Sequence, residues 1–148
     1  MTRTAASAVI DRLGLAPHPE GGWYLETWRA PSDGGERPSA SAILYLLAGG
    51  EASHWHRVDA AEIWQYSAGD PLELRMWAGE GAAVEIHRLG DGTTDDAGVP
   101  QVVVPAGAWQ AARPLGAWTL VGCIVSPAFE FAGFELAPDG WEPPGPEA

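Results

Sequence analysis

The chain contains no lysine. All eight of its basic residues are arginines, against 20 acidic residues, for a formal net charge of −12. An excess of that size repels nucleic acid and anionic membrane surfaces, and no arginine cluster offsets it. Neither is expected as a partner. Long apolar runs are missing too, since no stretch approaches the roughly 18 residues of a membrane-spanning helix. Thr2–Leu15 lacks the continuous apolar core of a secretory leader, and the expected compartment is the cytoplasm. Cysteine is reduced to Cys123, inside the apolar run Trp118–Val125. It reads as a small buried hydrophobe in a reducing compartment.

Helical periodicity is scarce. Only Ala5–Leu13 spaces its apolar residues (Ala6, Val9, Ile10, Leu13) along one helical face, and Gly14 supplies the stop. What the sequence has in quantity is short strand-like runs punctuated by glycine and proline. These are Trp23–Arg29, Ser39–Leu47, Ser53–Arg57, Glu62–Ser67, Leu72–Trp77, Val84–Leu89, Gln101–Val104, Trp118–Val125 and Phe129–Leu136. Such a pattern implies an all-β sandwich, jelly roll or barrel. With 148 residues the chain is one domain in size and buries roughly 70% of its unfolded surface. The expected division is a single domain over 1–137 and a flexible Pro/Gly-rich tail over 138–148, with Trp141 as its one local anchor.

The densest chemistry lies at His54-Trp-His56. Residues two apart on a strand share a face, which lets two imidazoles converge on one ion. A turn at Val58–Ala61 then brings Glu62 back toward them. Two histidines and a carboxylate with open positions form a recognised site for a divalent ion. A hydrogen-bonded polar cluster lining a pocket without metal is the alternative. Downstream, Pro105-Ala-Gly107-Ala-Trp-Gln110 reverses the chain and presents Gln110, whose amide can ligate weakly or hydrogen-bond a substrate. Alternation puts Trp64 and Tyr66 on the face of Glu62, the expected barrel interior. His18 reads as a turn histidine and His87 as a surface one. Asp91–Asp96 lacks the spacing of a calcium loop.

These motifs resemble those of the cupin superfamily (RmlC-like). The matching positions are Gly49 or Gly50, His54, His56, Glu62 and Gly69, followed by Pro105, Gly107 and Gln110. The gap from His56 to Glu62 is longer than the general pattern, and Gln110 stands where that pattern has histidine. A closer resemblance, over roughly Leu13 to Leu136, is to the uncharacterised cupin subfamily DUF985 (Cupin_5). It rests on the segments beginning at Pro17, Trp55, Val104 and Gly122, and here Gln65 replaces a common histidine.

The resemblance implies a cupin β-barrel or double-sheet jelly roll with a short N-terminal helix, assembled as a homodimer. It also implies that His18-Pro-Glu20-Gly-Gly22 closes over the site. The expected ligand is a small polar molecule, sugar-like or carbonyl-containing, held in the barrel with Trp64, Gln110 and Glu20 as contacts. In a metal-assisted reading one divalent ion (Fe, Mn, Ni or Zn) sits on His54, His56, Glu62 and Gln110. In an isomerase- or epimerase-like reading a histidine, His56 in particular, acts as base beside Glu62, and Tyr66 acts as acid. A non-catalytic small-molecule-binding module is the alternative to both.

Overall fold

A computed structural model describes residues 5–144. Helix α1 (Ala6–Leu13) is followed by β1 (Ala16–Pro17), β2 (Trp23–Arg29), β3 (Ser41–Ala48), β4 (Ser53–Val58), β5 (Ala61–Gly69) and β6 (Leu72–Trp77). The remaining strands are β7 (Glu85–Leu89), β8 (Gln101–Val104), β9 (Trp109–Pro114), β10 (Trp118–Ser126) and β11 (Phe134–Leu136). They form two antiparallel sheets, ordered β1-β2-β3-β10-β5-β8 and β11-β4-β9-β6-β7. The sheets pack as a jelly roll and do not close into a barrel.

Alternation along the strands sets the two faces. On β3, Ser41, Tyr45 and Leu47 are buried between the sheets. Leu44 and Leu46 face outward, where α1 covers them with Val9, Ile10 and Leu13. Gly14, at φ 71°, ends the helix in the left-handed conformation.

The interior is filled at one end and hollow at the other. Tyr45, Leu47, Leu72, Leu74, Leu89 and Val121 pack the filled end. Two rungs along, paired positions carry Ser41, Val125 and Glu62. Those smaller and polar side chains leave space, and the cavity begins there.

Two segments depart from the sequence expectation. Trp109–Pro114 is an interior strand between β4 and β6, although its buried residues are Gln110, Ala112 and Pro114. Phe129–Leu136 is a single-turn 3-10 helix (Phe131–Gly133) followed by a short strand. The tail is held at its start. Trp141 lies 4.7 Å from Trp109 and about 6 Å from Trp55 and Trp77, between ring centroids. Residues 145–148 of the expected tail fall outside the described residues.

Candidate functional site

A cavity of about 280 Å³ opens between the sheets, with His18, Glu20, His56, Glu62 and Cys123 on its wall. The first two come from the His18–Gly22 turn, which folds over the end of the sheets as the resemblance implied. Gly21 (φ 108°) and Gly22 (φ 75°) make that approach possible. A Cβ on Gly21 would overlap the carbonyl oxygen of Ala52, and one on Gly22 would press on Leu46 and Leu47. The Glu20 carbonyl accepts a hydrogen bond from the His54 amide at 2.8 Å, fastening the turn to β4.

That fastening coincides with a β-bulge. Against β9, Ser53 pairs with Ala112 and His56 with Gln110, so three residue steps on β4 face two on β9. Ser53 and His56 therefore both point inward, and the two residues between them turn out. Trp55 joins the outer tryptophan cluster. The His54 imidazole turns away from the cavity and donates from Nε2 to the Pro138 carbonyl at 2.9 Å. The expected convergence of His54 and His56 on one ion does not occur, because the extra residue breaks the two-residue period that it required.

His56 is 2% exposed. Its Nδ1 lies 2.8 Å from the His54 carbonyl, which can only accept, so Nδ1 carries the ring proton. The same nitrogen is 3.1 Å from Glu20 Oε2. Nε2 thus keeps the lone pair that a cavity occupant can use. Ser53 also donates to Glu20 Oε2. On its other oxygen Glu20 meets His18 Nδ1 at 3.2 Å, and that nitrogen accepts from the Glu20 amide.

Burial pushes the Glu20 carboxyl up to about 8, against the opposing Ser53 hydrogen bond. Burial, aided by His56, pulls His18 down to about 4. Both are largely neutral near pH 7, so their contact is not an ion pair, and the one lone pair of His18 Nδ1 is taken by the Glu20 amide.

Glu62 sits on the same wall. Gln110 donates to its Oε1 at 2.9 Å. The Gln110 oxygen accepts from the Trp64 indole at 2.7 Å, and an indole can only donate, so the amide orientation is fixed. Burial raises Glu62 to about 7; Glu20 adds to the rise, while His56 and the Gln110 and Cys123 hydrogen bonds oppose it. Burial lowers His56, with Glu62 opposing. The wall therefore carries a proton acceptor and a carboxyl that is still partly protonated near neutrality.

The structure thus brings together Glu20, His56, Glu62 and Gln110, and not the whole expected set. Trp64 is buried behind Gln110, off the cavity wall. Tyr66 is inward but at the filled end, four residues or ~13 Å along β5 from Glu62. Its hydroxyl donates to the Gly69 carbonyl at 2.6 Å. Gln65 faces outward and accepts a hydrogen bond from Gln101. Ser53, Tyr24 and the aromatic rim of Phe129 and Phe131 were missed by sequence reasoning, which had no signal for them beyond polarity and aromaticity.

The donors do not fit the expected divalent ion. His54 is turned out, and the one ligating atom of Gln110 is committed to Trp64. Among the described residues no group of three His, Cys, Asp or Glu side chains is arranged to hold a metal ion.

A second hollow, of about 330 Å³, lies on the far side of β4 and includes His54, Glu73, Arg75, Arg113 and Trp141. Three of its charges form a surface network. Glu73 meets Arg75 at 2.7 Å and Arg113 at 3.2 Å.

Comparison with known proteins agrees with this architecture. The pattern of the family described as Cupin superfamily (DUF985) matches residues 7–137, and the chain belongs to that family. A solved protein from Shewanella oneidensis is 37% identical, with a TM-score of 0.83, over 91% of this chain and 85% of the other. A hypothetical protein from Leishmania major is 31% identical, with a TM-score of 0.80, over 89% and 86% of the two chains. An oxalate decarboxylase from Bacillus subtilis has a TM-score of 0.61 at 15% identity, over 81% of this chain and 29% of its own. At that identity the likeness is one of fold. No curated protein matches.

Proposed function

We propose that this cupin is an enzyme that moves a proton on a small polar, carbonyl-containing molecule held between its sheets, as in an isomerisation or epimerisation. The observation that carries the reading is the state of His56. Its Nδ1 proton is tied to the His54 carbonyl and Glu20, which leaves the Nε2 lone pair as a general base on the cavity wall. His56 Nε2 takes the proton from the carbon next to the carbonyl, and the pair of electrons left behind moves onto the carbonyl oxygen. Glu62, in its protonated form, donates a hydrogen bond to that oxygen. Return of the proton to the former carbonyl carbon gives the isomer, with Glu62 giving its proton to that carbon's oxygen and taking one from the hydroxyl on the carbon first deprotonated. Protonation of the original carbon by water from the opposite face gives the epimer. Glu20 and Ser53 are positioning residues for the imidazole. No step uses a metal, since the donors that would hold one are not assembled. Tyr66 takes no part as acid, because its hydroxyl is bonded to the backbone away from the cavity.

The test is deuterium uptake from D₂O into a panel of small hydroxy- and amino-ketones, followed by proton NMR. Catalysed exchange that is lost in His56→Asn supports the reading. A protein that binds such ketones but exchanges no proton overturns it in favour of a binding module.

We propose that the homodimer implied by the family resemblance would form through one surface. Trp28, Ala42, Ile124, Ile63 and Val103 pair across β2, β3, β10, β5 and β8 on the face that α1 leaves open. Trp28 is 52% exposed and Val103 56%, and a second copy would cover this apolar row. Light scattering on the wild type and Ile124→Glu checks it, and a wild-type monomer removes the idea. Cytoplasmic residence remains the compartment suited to a single buried thiol.

A further inference from the structure

We infer that the cavity selects a ligand carrying a positive charge at its outer end and excludes anions. The inference rests on the reading of this cavity as the ligand site, and it names the class of ligand. Among the described residues, four glutamates (Glu20, Glu26, Glu62 and Glu130) line the cavity, and Arg29 is its only arginine or lysine. That guanidinium is engaged through two of its three nitrogens. Nε donates to Glu26 Oε1 at 2.8 Å, while Nη2 donates to Glu26 Oε2 at 3.1 Å and to the Phe129 carbonyl at 2.8 Å. An anion entering here finds a guanidinium with only Nη1 left uncommitted and meets the carboxylates of Glu26 and Glu130.

A cation meets the opposite. Among the described residues the Glu130 carboxylate makes no hydrogen bond within the chain; Arg29 and Arg37 attract it through space while their hydrogen bonds go to Glu26, Asp59 and backbone carbonyls. Beside it on the wall stand the rings of Phe129, Phe131 and Tyr24. All three phenylalanines of the chain fall within 129–134. They pack edge to face, with centroids 4.9 to 6.0 Å apart, and Phe131 is 56% exposed. Aromatic faces beside carboxylates suit an ammonium group, which gains from both the ring quadrupoles and the charge. The net charge of −12 adds a long-range field of the same sign. The ligand class is therefore a small organic amine or quaternary ammonium whose other end reaches the His56 and Glu62 wall.

Three probes of one shape test this: choline, the uncharged 3,3-dimethylbutan-1-ol and the anionic 3,3-dimethylbutanoate. Each is titrated at low salt, with binding read from NMR shifts of Phe129, Phe131 and Glu130. Choline should bind roughly tenfold more tightly than the alcohol, and the butanoate should not bind. In Glu130→Gln, choline should weaken roughly threefold to tenfold while the alcohol is unchanged, which also confirms an intact cavity. Binding of butanoate as tight as choline, no binding of choline, or an unaltered choline-to-alcohol ratio in Glu130→Gln overturns the inference. Repeating the series in His56→Asn separates the two claims. There the cation preference should persist even though proton exchange is gone. If wild type shows the preference but exchanges no proton, only the catalytic reading falls.

Discussion

The two hollows on either side of β4 are built from neighbouring residues and have opposite electrostatic character. The inner one buries three of its ionisable groups and holds back their charge: Glu20 is raised to about 8 and Glu62 to about 7, and His18 is lowered to about 4. The outer one leaves Glu73, Arg75 and Arg113 in contact with water as charged pairs, and the two arginines beside Glu73 hold its carboxyl below the usual range. His56 belongs to the first and His54 to the second. Residue type does not distinguish these imidazoles. Burial and partner do: the buried ring is held at Nδ1 by the His54 carbonyl and Glu20, and the other at Nε2 by the Pro138 carbonyl.

The sharpest way to break this contrast is to exchange the histidines' fates. His56→Asn should lower the proton-exchange rate by roughly 10²–10⁴, whereas His54→Ala should leave it within about threefold; comparable losses in both would erase the distinction. Next in size is a stability effect on the outer side. Trp141→Ala removes a ring shared by Trp55, Trp77 and Trp109, and should cost about 2 kcal/mol in urea unfolding, below the range for a fully buried tryptophan. Exchange activity in that variant should be preserved.

A smaller effect concerns pH. Exchange needs His56 neutral and Glu62 protonated. The rate should rise as His56 loses its proton below pH 6.5 and fall as Glu62 loses its own near pH 7, giving a narrow bell. Glu62→Gln should run roughly tenfold slower and lose the alkaline limb, since an amide donates at any pH. An alkaline limb that survives the substitution would assign it to another group. The smallest effect is that of Arg113→Ala, an exposed partner of Glu73, which should not move the unfolding midpoint measurably.

Much of the fold was legible because burial had written itself into alternation. Trp23–Arg29, Leu72–Trp77 and Gln101–Val104 are strands with the bounds that the sequence indicates. Strand β9 was not legible, since the side chains that it buries, Gln110, Ala112 and Pro114, carry no apolar signature. For the site, His56, Glu62 and Gln110 could be found from residue type and spacing, and Glu20 from the family resemblance. The outward turn of His54 could not. A bulge in β4 leaves no mark of composition, and it coincides with the docking of the Glu20 turn, a contact 34 residues away between the Glu20 carbonyl and the His54 amide.

The bulge makes strand length a chemical variable. Ser53 and His54 compete for one inward position, and where the ladder absorbs its extra residue decides the winner. With the bulge between Ser53 and His56, a hydroxyl enters and completes a neutral network around a single imidazole. Were the extra residue absorbed before Ser53, unbroken alternation back from His56 would turn His54 inward and Ser53 out. The same amino acids would then present two facing imidazoles, the beginnings of a metal site. Two arrangements of the same side chains are thus separated by the placement of one backbone irregularity, with no change in the residues themselves.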